Sequence, residues 1–197
     1  MKCMGIDYSM TNPASVIYDY ENKEFNLFVY MSNTKSKVKK GPYLYSTHLD
    51  YSITNVQDII DESINASIER YTNIAQYFIS FAEQYGVEVV FLEGYSLGSK
   101  GQVFNIAENT AVLKLLLKIG GFDVRIFPPT RIKKFATGKG NANKDSMKES
   151  FFSAIENGDI EDTVGKAVEP VAHYKESPLS DIIDAWYVLQ YGLTTLQ

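Results

Sequence analysis

The 197-residue chain holds a single cysteine, Cys3, and only two histidines, His48 and His173. One thiol excludes an internal disulfide framework, and the three residues together cannot assemble a zinc site of the Cys/His type. No apolar run approaches the roughly 20 residues that a membrane-spanning helix needs. Met1-Lys2 leads straight into strand-like sequence rather than into a secretory leader. A reducing compartment, the cytoplasm, is the expectation. An overall positive charge is lacking too: the net charge is -5, which argues against a protein that coats a polyanion through a general positive field. No Gly-x-x-x-x-Gly-Lys-Ser/Thr phosphate loop is present.

What charge there is lies unevenly. Arg131 to Lys148 carries six basic residues against one acidic, and Met31 to Asp50 carries Lys35, Lys37, Lys39 and Lys40 against Asp50. The rest of the chain is strongly acidic. Two basic patches on such a body fit a confined polyanion site, although a solvated charged face fits equally well.

At this length, with 45% of residues hydrophobic, one domain with a sizeable core is expected, elaborated by a basic insertion near 31–58 and an irregular loop near 158–179. Residues 3–8, 15–20 and 24–30 read as three strands of an antiparallel meander. Ile60, Ile64, Ile68, Tyr71, Ala75, Phe78 and Ala82 recur at steps of three and four, which predicts a helix that stops at Gly86. "VEVVFLE" at 87–93 is apolar on both faces, as a strand covered by helices on each side should be. A second helix over 104–119 ends at Gly120-Gly121, a strand follows over 122–127, and helices are expected over 130–137 and 143–155. The order predicts an α/β fold whose sheet has mixed direction.

Aspartate is disfavoured inside strands, yet Asp7 sits in one, on the face of Cys3 and Gly5, with Met4, Ile6 and Tyr8 on the other. It could cap the following turn. Glu93 shares a face with Val87, Val89 and Phe91, unless the strand end emerges into solvent. Near the end of the chain, "SDIIDAW" opens a helix in which Ser180 reads as N-cap and Asp181 as a first-turn acid favoured by the helix dipole. That reading leaves Asp184 unexplained. Ile182, Trp186, Leu189 and Leu193 form an apolar arc, and Asp181 and Asp184 flank it beside the small residues Ala185 and Gly192. Such a helix can approach the sheet closely and bring both aspartates toward Asp7. Clustered acids repel one another unless a cation neutralises them, and oxygen-only ligands suit Mg²⁺ or Mn²⁺. Two such ions are the usual device for attack of water on a phosphodiester.

These segments resemble the RuvC-like Holliday junction resolvases of the ribonuclease H-like superfamily, especially phage-type members. "GIDYS" at 5–9 resembles the first-strand motif, "FLEGYSLGSKG" the strand-end glutamate with its loop, "RIKKFATGKGNANKDSM" the basic segment, and "SDIIDAW" the C-terminal Asp-x-x-Asp helix. The resemblance implies a ribonuclease H-like mixed sheet flanked by helices. It further implies that Asp7, Glu93, Asp181 and Asp184 are catalytic ligands of two Mg²⁺ ions, for which Mn²⁺ can substitute. Lys133 and Lys144 would occupy the positions of DNA-contacting, catalysis-supporting lysines, with Arg131, Lys134, Lys148, Lys100 and Tyr95 completing the DNA-binding set. The implied substrate is branched double-stranded DNA, cut by a homodimer, in the bacterial host cytoplasm if the chain is phage-encoded. Relatives carry a phenylalanine in a short loop after the glutamate. Here that loop is longer, and Tyr95 ranks before Phe104 for proximity to Glu93.

Other readings differ in class. A sugar-kinase-like ATPase would need a second, similar domain. A ribonuclease H acting on hybrids would use the same chemistry, but the Asp-x-x-Asp pair fits a resolvase better. A non-catalytic branched-DNA-binding protein has no physical reason to keep four costly acids. His48 and His173 read as ordinary surface residues and Cys3 as a small core residue.

Overall fold

The computed structural model describes residues 1–10, 12–31, 49–53, 64–95, 103–160, 162–173 and 177–196. Strands β1 (Lys2–Asp7), β2 (Ala14–Asp19) and β3 (Glu24–Met31) pair antiparallel in sequence order, the expected meander. Asp19, buried at the end of β2, makes the β2–β3 turn: its carboxylate accepts from the Glu21 and Asn22 backbone N–H groups and pairs with Lys2 at 3.1 Å. Strand β4 (Leu49–Ile53) runs parallel to β3 at the sheet edge. It lies within the stretch read as an insertion, of which 32–48 and 54–58 fall outside the described residues.

Helix α1 (Ile64–Tyr85) leads to β5 (Val89–Glu93), which pairs parallel with β1. Helix α2 (Val103–Ile119) leads to β6 (Asp123–Phe127), parallel to β5. The described strands thus form one sheet of order β4-β3-β2-β1-β5-β6. Each crossover helix covers the same face. Met4, Ile6, Ile17, Val90 and Leu92 of the sheet meet Ile74, Phe78 and Ala82 of α1 and Leu113 and Leu117 of α2. The predicted stripe on α1 slips in phase at one point: Ile68 is 52% exposed, and Ile74 packs inside instead. Ile60 lies outside the described residues.

The opposite face is covered by α3 (Pro129–Thr137), α4 (Lys144–Glu156), α5 (Asp162–Val168) and α6 (Leu179–Leu193). Pro129 at the start and Gly138 in the left-handed region (φ 77°) at the end delimit α3. The expectation of an irregular stretch over 158–179 is corrected: α5 and a 3-10 turn, Glu169–Val171, occupy its middle. They form because Val164, Ala167, Val168 and Val171 make a short helical stripe that is buried against the other helices.

Helix α6 is the centre of this layer and is buried on nearly every side. It crosses β1 so closely that a Cβ on Gly5 would lie 2.5 Å from the Leu189 nitrogen and 2.7 Å from the Ala185 carbonyl oxygen. A Cβ on Gly192 would enter the Phe91 ring. The expected close approach of a small-residue helix face to the strand bearing Asp7 is therefore present. Ser180, however, is not the N-cap. The helix starts earlier, with Pro178 in the cap position and no side-chain cap, so Ser180 lies within the first turn and is buried.

Candidate active site

Asp7 ends β1 and Glu93 ends β5, adjacent parallel strands in which Ile6 and Leu92 are register partners. Both acids therefore reach the same sheet end, and the period of two turns both toward α6, along with Cys3, Val89 and Phe91. The first turns of α6 bring Asp181, 5% exposed, and Asp184 to the same place. The electrostatics record the convergence. Burial pushes the Asp7 carboxyl well above the usual carboxylate range, and the charges of Asp184, Glu93 and Asp181 push it further. Burial and then Asp184 raise Glu93 to about 7. Asp184 is raised to about 6, chiefly by burial and also by Asp181. The acids of β1, β5 and α6 thus lie within one another's field.

Two lysines oppose this repulsion. Lys144, at the first position of α4, lowers Asp7 and Asp184, and Lys133 of α3 lowers Glu93 and Asp184. They share with Glu93, Asp184, Asn143 and the apolar Ile132 and Met147 a cleft of about 130 Å³. Asn143 caps α4, its side chain accepting from the Ser146 N–H. The Lys144 ammonium donates to the Ser180 hydroxyl at 3.3 Å. Neither role follows from the sequence reading, in which Ser180 caps its own helix; the signal for Asn143 is an N-cap residue type directly ahead of a predicted helix.

The other predicted residues are more dispersed. Arg131 and Lys134 are exposed on α3. Lys148 turns the other way along α4, its ammonium 3.4 Å from the Ala172 carbonyl oxygen and 5.9 Å from the centre of the Phe152 ring. Tyr95 folds onto α2: its hydroxyl donates to the Ala107 carbonyl, and Lys114 donates to it and lies over the ring, 4.4 Å from its centre. Phe104, in contrast, is 81% exposed. Lys100 and His48 lie outside the described residues. His173 is exposed, and Cys3 is fully buried, its thiol raised to about 11 mainly by that burial.

The donor set is carboxylate oxygen throughout, which fits a hard divalent cation. Cys3 lies at the far end of β1, four residues and about 13 Å from Asp7, too far to add a soft ligand. Among the described residues no three ligand-type side chains close around a single point, so the acids form an open array rather than a cage.

No protein-family model matches the sequence, and no curated protein does. Solved structures do. RuvC of Thermus thermophilus is 14% identical, with 99% of this chain and 96% of that one covered and a TM-score of 0.55. The same protein in complex with a Holliday junction substrate gives 13% identity and 0.51. The fowlpox virus Holliday junction resolvase is 14% identical, with both chains covered in full, at 0.53. At such identities it is the backbone arrangement that is shared. The described residues have the ribonuclease H-like fold of the RuvC and fowlpox virus Holliday junction resolvases.

Proposed function

We propose that the protein is a divalent-metal-dependent endonuclease that cuts branched DNA, with four-way junctions as the leading substrate. The observation that carries this reading is the meeting of Asp7, Glu93, Asp181 and Asp184 at one sheet end, each acid in the field of others and two lysines facing them. Such an array is costly without a cation and a phosphate to complete it. The four carboxylates would hold two Mg²⁺ or Mn²⁺ ions, whose chemistry when bound is to generate the attacking hydroxide and to stabilise the leaving 3′ oxygen. The chain's own residues do the rest. Lys133 and Lys144 present positive charge to the phosphate in the cleft, and Ser180 holds the Lys144 ammonium in place. Arg131 and Lys134 extend the basic surface along α3 for neighbouring phosphates. Because Tyr95 is tied to α2, Phe104 is the aromatic better placed to enter a junction centre.

Two incisions across a junction call for two sites, which a homodimer would provide, and the exposed face of α2 supports that reading. Its outward residues Glu108, Ala111, Leu115, Lys118 and Ile119 follow helical spacing, with Leu115 60% and Ile119 72% exposed. Paired antiparallel about a two-fold axis, Glu108 of one copy would meet Lys118 of the other, and Ala111 would meet Leu115.

The test is incubation of purified protein with labelled four-way, three-way, flap and linear DNA, with and without Mg²⁺. Mg²⁺-dependent cutting of the branched substrates is expected. Asp7→Asn and Glu93→Gln should each abolish cutting while branched-DNA binding survives, and near-normal turnover in either variant would remove the two-metal mechanism.

A further inference from the structure

A second cavity, of about 430 Å³, opens between α3, α4 and α6. The walls are apolar and partly aromatic: Phe135, Ala136, Ala154, Ile160 and Trp186. Two of its hydroxyls are already committed, since Tyr187 donates to Ser150 at 3.3 Å and Ser150 donates to the Ala136 carbonyl. Four polar side chains remain at the rim, Ser153, Asn157, Asp159 and Gln190, and no described residue bonds to them. No lysine or arginine lines the space. It is therefore a poor phosphate site and a good one for a flat, uncharged ring that offers N–H donors at its edge.

We propose that this cavity receives one nucleobase, guanine in preference to the others. Guanine presents adjacent N1–H and N2–H₂ donors that match the two oxygens of a single carboxylate, Asp159. Adenine sets an acceptor beside its amino group, which a carboxylate repels. The source of the base is the DNA strand whose phosphate lies at the carboxylates, and this part rests on the nuclease reading above. Along the axis of α6, Gln190 lies about 9 Å beyond Asp184 and about 240° around the helix from it, so a strand must curve past the side of α6 and the offset is at least roughly two or three nucleotides. Arg131, one turn before Phe135 on the same side of α3, is placed to hold the phosphate of the inserted nucleotide. Bases at a branch point are already partly unstacked, so they are the easiest to extrude. The cavity would then set a cleavage preference for guanine at a fixed offset from the cut.

Trp186 is the only tryptophan in the chain and lines the cavity, so its fluorescence reports occupancy independently of catalysis. Titration of the metal-free protein with guanosine should quench it saturably, with adenosine, cytidine and thymidine binding at least about tenfold more weakly. Asp159→Asn, an exposed position whose change should leave the fold intact, should erase that preference. In DNA, junctions with guanine walked through each position near the branch should quench at one offset, and the same offset should favour cleavage about tenfold. Absence of saturable quenching by every nucleoside and every junction would overturn the proposal. Quenching by free guanosine but by no junction would overturn the strand as its source. Junctions cut without guanine bias or quenching would sink the cavity reading and spare the nuclease. Quenching at one offset without cleavage in Mg²⁺ would do the reverse.

Discussion

Asp184 receives opposing pushes: burial and Asp181 raise its pKa, while Lys144 and Lys133 lower it, and the balance leaves it at about 6. Glu93, at about 7, and Asp7, held well above the usual carboxylate range, behave alike. In the unfolded chain these carboxyls lose their protons near pH 4. Between about pH 4 and pH 7 the folded protein therefore binds more protons than the unfolded one, and stability falls as pH rises through that interval. It is fully present only below the unfolded values. The informative quantity is a difference between variants. Asp184→Asn is expected to be more stable than the wild type at pH 8 in the absence of metal, by at most about 3 kcal/mol, and the gain should vanish toward pH 4. Melts in chelator across that range measure it. A purely first-turn aspartate would instead cost roughly 0.3 to 1 kcal/mol when removed, so Asp181→Asn divides the dipole role from the ligand role. Millimolar Mn²⁺ should raise the wild-type melting temperature by mass action and raise those of both variants less.

At the scale of elements, the site depends on how closely α6 lies on β1. Gly5→Ala places a Cβ against the backbone of Leu189 and Ala185, which cannot give way without moving the helix. A loss of about 1–3 kcal/mol in denaturant unfolding is expected, with Mn²⁺ stabilisation falling as well because the displaced helix carries Asp181 and Asp184. This contact was legible in the sequence. Ala185 and Gly192 stood out as small residues beside two acids, and Asp7 and Glu93 stood out as charges in strands. Less legible were features set by tertiary context. The stripe of α5 is only seven residues long and carries Gly165, so it shows little periodicity until the helices it packs against are present. Ser180 has every mark of an N-cap, but Pro178 and Leu179 start the helix earlier and leave its hydroxyl to Lys144. Tyr95 is nearer Glu93 in sequence than Phe104 is, yet its hydroxyl finds partners on α2.

Across the whole molecule, the acidic balance matters less than where the exceptions lie. Lys133 and Lys144 face the carboxylates from two different helices, so replacing either by alanine should weaken DNA binding whatever the sequence and flatten its salt dependence by about one ion. Equilibrium binding over a salt series checks this, and unchanged slopes in both variants would place the phosphate contacts elsewhere. The arrangement of the sheet has a further consequence, one for synthesis. Asp7 precedes α6, which packs on its strand, by more than 170 residues and is therefore made well before it. At typical elongation rates roughly ten to thirty seconds separate them. Once α2 has been made, β1 and β5 can form with α1 and α2 on one face while α6, which completes the acid cluster, is still untranslated. A nascent chain at that stage therefore carries two strand-end carboxylates and no assembled cluster, and the four acids come together only as α6 docks.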